Sequence, residues 1–516
     1  MNSVTQGRAA PAAEPPAALI EASDTTLRFL AAPRRHLIGA RWVTGGGPRR
    51  IDVENPARGD TIATIECASI ADLDAAVAAA RTSFESGWGR LHGRERARIL
   101  FRFADLIEGD SERLAQVMTL DNGMPLSSSR AVIKYLAVEL VRYYAGWATK
   151  LSGEAFTPAV GSRDQLDFLV ATLREPIGVV GAIVPWNAPA GMLALKIAPA
   201  LATGCTMVLK TAELAPLVGE LFAELFLEAG APPGTLNVLH GYGEDLGAAL
   251  AAHPGIDKIT FTGSTAVGRS ILRAAAGNLK KVTLELGGKS PVVIFPDANL
   301  DQAIPAASMA CYLSSGQACM AGSRLFVHED VHDPVVEGIR AHVMKLPIGD
   351  GMRLNTVIGP LISARQRDRV LRYLDFGSDD GATLEFGGER MGGPGHFVRP
   401  ALFTRVTAAM RIAREEIFGP ILSVIRFNDE EQLLRDVNGL RYGLSGSVWT
   451  RDIQRALRLA QRIDSGQVAI NYHAAMSPET PFGGNKESGW GREFGREGLD
   501  AYLKTKAISI NVGVRR

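Results

Sequence analysis

Chemistry in this chain centres on a cysteine in a glycine-bracketed segment, Gly316-Gln317-Ala318-Cys319-Met320-Ala321-Gly322, with a carboxylate upstream in Leu284-Glu285-Leu286-Gly287-Gly288-Lys289. A thiol with a carboxylate to serve it is an arrangement for covalent catalysis. The thiolate attacks an electrophilic carbon, and the carboxylate handles protons and water. Asn187, in Pro185-Trp186-Asn187-Ala188-Pro189, adds the amide that an acyl-transfer site needs. Each residue also has a plainer reading. A lone cysteine is more often a small buried hydrophobe, a carboxylate beside two glycines can be a surface group, and an asparagine between prolines can be a turn residue. Cys205 and Cys311 fit the buried reading, and Cys67 has no evident partner. None of the four cysteines forms a CxxC pair, so neither a zinc site nor a disulfide framework is expected. Free thiols fit a reducing compartment.

A second pattern concerns a cofactor. Lys258-Ile-Thr-Phe-Thr-Gly263-Ser264-Thr265-Ala266-Val267-Gly268 reads as strand, tight turn and helix, with Ser264 or Thr265 to cap the helix and free N–H groups to attract phosphate. The spacing is GxxxxG rather than GxGxxG, and a turn that merely needs glycine would look the same. Upstream, a strand over Thr206–Leu209 runs into Lys210, followed by Glu213. A carboxylate at a strand's carboxyl end can hold both ribose hydroxyls of adenosine and would repel a 2′-phosphate, which favours NAD over NADP. A solvated loop pair is the alternative for these two charges. A thiol together with a nucleotide pattern points to a redox step on a thiol-bound substrate.

The elements that must position these residues follow from periodicity. Gly178–Val184 is an apolar run between Pro176 and Pro185, the signature of a buried parallel strand. Strands then alternate with helices through Phe261, and a second series runs from Pro291 to about Val448. Long amphipathic helices are expected over 70–83, 93–120 and 127–152. Cys319 either starts a helix or sits in the loop before one. Gln165–Leu173 alternates and could leave the domain as an arm pairing across a subunit interface. The expected fold class is α/β: a Rossmann-like cofactor domain (36–152 and 175–287), an α/β catalytic domain (288–487) and a small β-arm for oligomerisation (153–174 and 488–516). Residues 1–35, rich in alanine and proline, read as a mobile extension. Glu14, Glu21 and Asp24 argue against a secretory or mitochondrial leader.

With 516 residues, two or three domains are expected. The net charge of +1 gives no field toward nucleic acid or an acidic membrane. No apolar run reaches the roughly 18 residues of a membrane span. A cytoplasmic protein is expected.

Six segments occur in order: Val184-Pro-Trp-Asn187, Phe261-Thr-Gly-Ser264, Leu284-Glu-Leu-Gly-Gly-Lys289, Gly316-Gln-Ala-Cys319, Glu415-Glu-Ile-Phe-Gly-Pro420 and Pro481-Phe-Gly-Gly-x-Lys486-x-Ser-Gly489. The chain in this respect resembles the aldehyde dehydrogenase superfamily, from about His36 to Lys506. The resemblance implies Cys319 as nucleophile, Glu285 as general base, and the Asn187 amide with the Cys319 N–H as oxyanion hole. It implies NAD held by Val184, Pro185, Trp186, Lys210, Glu213, Gly263, Ser264, Leu286, Gly287, Glu416 and Phe418. Water is the second substrate, and a homodimer or homotetramer is implied. Glu285 argues against a variant that passes the acyl group to coenzyme A. Pocket positions by the same resemblance are Ala188, Leu195, Ala318, Met320, His473, Ala474, Ala475, Met476 and Phe482. Small apolar walls suggest a bulky hydrophobic or aromatic aldehyde. His473 could reach a polar substituent or be a packed loop histidine. Alternatives are a semialdehyde or betaine-type enzyme, disfavoured by the lack of an arginine over 188–196 and of an aromatic cage, or a non-catalytic protein on the same fold.

Overall fold

The computed structural model describes residues 18–158 and 166–514. Two open sheets dominate it. The first has eight strands in the order Arg41–Val43, His36–Ile38, Leu236–Leu239, Thr206–Lys210, Val179–Ile183, Lys258–Thr262, Lys281–Glu285 and Gly489–Trp490. The strands from Leu236–Leu239 to Lys281–Glu285 are parallel. Every residue of Val179–Ile183 and Thr206–Lys210 is buried, because helices cover both faces. The second sheet orders Thr383–Phe386, Ala401–Thr404, Ile421–Phe427, Arg324–His328, Pro291–Ile294, Ser445–Trp449 and Gln467–Ile470, all parallel but for the first pair. The α/β reading therefore holds.

In the first sheet the chain direction of winding reverses between Val179–Ile183 and Lys258–Thr262. Crevices at the carboxyl ends of such a switch point are where α/β sheets bind ligands. Val184–Asn187 leaves one of these two strands and Gly263–Ser264 the other, so both segments face that crevice.

Three expectations meet a different outcome. The helix expected over 93–120 is two, Gly93–Gly109 and Ser111–Asn122, broken at Asp110 with φ −101° and ψ 15°; glycine followed by aspartate is a poor helix continuation. The next helix carries a π-helical stretch, Ile133–Val138, and ends at Trp147. Of the extension expected over 1–35, residues 1–17 lie outside the described residues. The rest is docked: Asp24–Ala31 is a helix capped by Ser23, Phe29 is buried, and the Thr26 hydroxyl donates to Gln116 Oε1 at 2.9 Å. Leucine and phenylalanine at helical spacing, anchored by a capping serine, outweigh the local alanine content.

Of the arm expected over 165–173, Gln165 lies outside the described residues. Leu166–Pro176 pairs antiparallel with Leu503–Val514 as a long two-stranded ribbon, joined by Ala155–Phe156. Residues 488–502 do not follow it. Gly489–Trp490 closes the edge of the first sheet, and the Gly495–Asp500 helix packs on the Pro189–Thr203 helix.

Candidate active site

The site lies where the carboxyl edge of the first sheet meets the turn that follows the Leu300–Tyr312 helix. Cys319 sits in that turn, not at a helix start, with the Ala321 N–H donating to the Ala318 carbonyl and the Gly322 N–H to the Ala310 carbonyl. Its thiol is pushed up to about 12, by burial first and then by the charges of Glu285 and Glu416. The N–H groups of Met320 and of Cys319 itself act in the other direction, favouring the thiolate. The turn is unusual in backbone terms. Ser314, Ser315 and Gly316 are all left-handed, with φ of 52°, 56° and 71°. At Gly316 a side chain is barred by space as well as by φ, since a Cβ there would run into the Gly419 carbonyl.

Glu285 ends the Lys281–Glu285 strand and is buried. Among the described residues neither carboxylate oxygen has a hydrogen-bond partner. Burial raises its pKa well above the ordinary carboxylate value, the Glu493 charge raises it further, and Lys196 opposes. Lys196 and Glu493 form a buried ion pair behind it, to which the Thr260 hydroxyl donates at 3.4 Å. A carboxylate held so is basic enough to take a proton from water.

Asn187 lies in the bend before the Pro189–Thr203 helix. Its Nδ2 donates to the Gln317 carbonyl at 2.9 Å, which links the sheet crevice to the cysteine turn. From the other side, Asn122 Nδ2 donates to the Trp186 carbonyl at 2.6 Å. A chamber of about 10 Å³, the size of one water, is lined by Asn122, Asn187, Ser314 and Gln317 among others. Asn187, Glu285 and Cys319 thus come from three separate elements. They are tied by the Asn187–Gln317 bond and by the Glu285 charge felt at the thiol.

The residues expected to hold a dinucleotide line the same edge. The Val184 N–H donates to the Lys210 carbonyl, and Pro185 and Trp186 are half-buried in the bend beyond it. Trp186 meets Phe418 edge-on at 5.4 Å. Lys210 is buried, its Nζ donating to the Thr211 carbonyl at 2.9 Å and to Glu213 at 3.0 Å; burial lowers its pKa. Gly263 donates to the Glu285 carbonyl at 3.0 Å, and Ser264 caps the Thr265–Ala275 helix from the Val267 N–H. Gly268 of that helix packs on Leu286. Glu416 presses its carboxylate on Gly287 and accepts the Gly288 N–H at 2.9 Å. Burial raises its pKa. Phe418 has φ +60°.

Of the expected pocket residues, Leu195 and Phe482 belong to one buried apolar cluster, and Ala188, Cys319, Met320 and Met476 pack against it. Ala318 is half-buried beside them. His473 stands differently. Its Nδ1 meets the Ser447 hydroxyl and its Nε2 the Met320 carbonyl, both at 2.9 Å, and burial lowers its pKa. It is a packed loop histidine that braces Met320. A separate cleft of about 420 Å³ near Arg94, Arg96 and Arg174 shares no residue with this site.

Several contributors had not been singled out from sequence. Gln317 holds the Asn187 amide, and Asn122 holds the Trp186 carbonyl just before it. Gln366 and Arg369, on the Ala364–Asp379 helix, donate to the Phe418 and Glu416 carbonyls at 2.8 and 2.6 Å and fix the loop that carries both side chains. Gln317 lies inside a recognised segment, but the others carry no local signal.

The pattern of the aldehyde dehydrogenase family matches residues 42–508. An Arabidopsis thaliana protein, aldehyde dehydrogenase family 2 member B4, mitochondrial, is 44% identical and covers 92% of this chain and 87% of its own length. An aldehyde dehydrogenase from Bacillus cereus, solved as its NAD+ complex, is 43% identical, with a TM-score of 0.93 over 96% of this chain and 100% of its own. A Staphylococcus aureus betaine aldehyde dehydrogenase in complex with NAD+ is 36% identical, with a TM-score of 0.91 over 94% of this chain and 97% of its own. With its motifs set at the switch point of the first sheet and on the turn that faces it, this chain belongs to the aldehyde dehydrogenase family.

Proposed function

We propose that the chain oxidises an aldehyde to its carboxylic acid with NAD, through a covalent adduct on Cys319. The observation that carries this reading is the tie between the cysteine turn and the Asn187 amide, with a buried, unpartnered Glu285 acting on the same thiol. Cys319 gives its proton to solvent, and Sγ adds to the aldehyde carbon as the thiolate. The second Nδ2 hydrogen of Asn187 and the Cys319 N–H steady the oxygen as it gains charge. NAD, when bound, supplies the acceptor for the hydride that leaves this carbon. Glu285 then takes a proton from the water that attacks the thioester, and the carboxylic acid departs.

The residues present fit the dinucleotide. The Thr265–Ala275 helix starts at the switch-point crevice, where a pyrophosphate is favoured. Glu213 is half-exposed and paired to Lys210, so it can meet a ribose edge and disfavours a 2′-phosphate. Glu416 and Phe418 would hold the other ribose.

The substrate we favour is bulky and hydrophobic or aromatic. Ala188, Met320 and Met476 pack, like Cys319, against one apolar cluster, Ala318 is half-buried next to Cys319 in the chain, and both ring nitrogens of His473 are engaged elsewhere. We further propose the first sheet as NAD domain, the second as catalytic domain, and the ribbon as a subunit interface in a homodimer or homotetramer. Leu169, Leu173, Ile508, Ile510 and Val512 are exposed on that ribbon, which supports the last point. Four free thiols favour a reducing compartment such as the cytoplasm, and no helix among the described residues is long and apolar enough to cross a membrane.

The test is the initial rate of NADH formation over acetaldehyde, long aliphatic, aromatic, betaine-type and semialdehyde substrates, each with NAD+ and NADP+. Highest kcat/KM on a bulky apolar aldehyde with NAD+ supports the reading. Turnover of only small or carboxylated aldehydes would overturn the pocket assignment.

A further inference from the structure

We infer that Gln317 is a positioning residue for the oxyanion site: its side chain staples the left-handed cysteine turn to the 359–362 loop, so that its carbonyl selects the donating face of Asn187. This rests on the proposed role of Asn187.

The staple has three bonds. Gln317 Nε2 donates to the Ser314 carbonyl at 3.2 Å and to the Pro360 carbonyl at 3.4 Å, and Oε1 accepts the Ile362 N–H at 2.9 Å. The Ser315 hydroxyl reinforces it by donating to the Gly359 carbonyl at 2.6 Å. The side chain is buried, so these bonds are shielded from water. They are needed because Ser314 and Ser315 are left-handed, a conformation that costs a residue with a Cβ about 1 kcal/mol or more. Without a tether the turn would relax toward commoner backbone angles and carry the Gln317 carbonyl with it.

That carbonyl matters through the chemistry of a primary amide. Asn187 has two N–H donors on one atom and an acceptor on the other. A carbonyl bound to Nδ2 fixes which end faces the cysteine. One hydrogen goes to Gln317, which leaves the second for the substrate oxygen. If the amide flips, an acceptor replaces the donor at the growing negative charge, and stabilisation becomes repulsion. Asn122 holds only the backbone of the preceding residue and does not choose between the two ends. Gln317 thus acts on the transition state while touching neither substrate nor cofactor.

A double-mutant cycle on kcat for aldehyde oxidation tests this, using Gln317→Ala, Asn187→Ala and the double variant of the full chain. Asn187→Ala should lower kcat about 10²–10³-fold, the range for an oxyanion-hole amide. Gln317→Ala should lower it by more than tenfold in the wild-type background and less than twofold in the Asn187→Ala background, with the Kd for NADH unchanged. Gln317→Glu, which keeps the acceptor for Ile362 and loses the donors, should fall between; it also serves should the alanine variant not fold. An equal loss from Gln317 substitution in both backgrounds overturns the positioning role. Full kcat in Asn187→Ala instead overturns the oxyanion assignment, and the inference with it.

Discussion

Two turns at the edges of the sheets invite comparison. Gly263–Ser264 joins a parallel strand to a helix, and Ser314–Gly316 joins a helix to the Cys319 segment. The first is locally consistent: glycine at the tight point, serine as N-cap, apolar periodicity on either side. The second is locally inconsistent. Two serines occupy left-handed backbone, and the conformation persists because Gln317 and Ser315 bind it to a loop far along the chain. A site for a common ligand can be built from local rules, whereas the turn that presents a nucleophile is held by tertiary contacts.

The largest effect that separates regions concerns the two neighbouring thiols. Cys319→Ala should reduce kcat by about 10⁴-fold or more with the fold intact. Cys311→Ala, in the buried core of the Leu300–Tyr312 helix, should keep activity and lose about 1–2 kcal/mol of stability. Denaturant melts and initial rates read both. Similar activity in the two variants would erase the distinction.

Next comes Glu285. Its folded pKa is raised, so the protonated form is favoured in the native state. That contribution to stability is present at acid pH and is lost as pH rises through the raised value, where a buried charge must form. The base works only when ionised, so thioester hydrolysis should accelerate over the same rise. Glu285→Gln should lower kcat by about 10²–10⁴-fold, flatten that pH dependence and raise Tm at alkaline pH. A Tm unchanged at pH 9 would contradict the burial argument.

The turns themselves give the smaller effects. Gly316→Ala should cost about 1–3 kcal/mol, because a Cβ would be both left-handed and against the Gly419 carbonyl, and kcat should fall with it. Ser264→Ala should cost about 1 kcal/mol as a lost N-cap and weaken NAD binding a few-fold without altering kcat at saturation. Equal effects of the two substitutions on kcat would blur the contrast between the turns.

The same contrast explains what could be read from the amino acids alone. The buried strand within Gly178–Val184 and the strand, turn and helix of Lys258–Gly268 follow from periodicity and turn chemistry, and the structure has them so, whereas the Lys281–Glu285 strand that carries Glu285 was not read from the sequence. The staple by Gln317, the Lys196–Glu493 pair and the support of Glu416 and Phe418 by Arg369 and Gln366 join residues distant in sequence. No spacing encodes such bonds. The docked Asp24–Ala31 helix did have a local sign, Ser23 ahead of Asp24, but the alanine-proline stretch before it dominates composition. His473 shows the reverse case: a titratable side chain near a site whose hydrogen bonds, visible only in three dimensions, commit it to packing.

The most direct test of the covalent reading is intact-protein mass spectrometry of Glu285→Gln mixed with NAD+ and a slowly hydrolysed aromatic aldehyde, with NADH followed in parallel. A stoichiometric burst of NADH, together with an acyl adduct mapped to Cys319, is the expected result. Absence of an adduct, or its location on Cys311 or Cys67, would contradict the assignment of Cys319 as nucleophile.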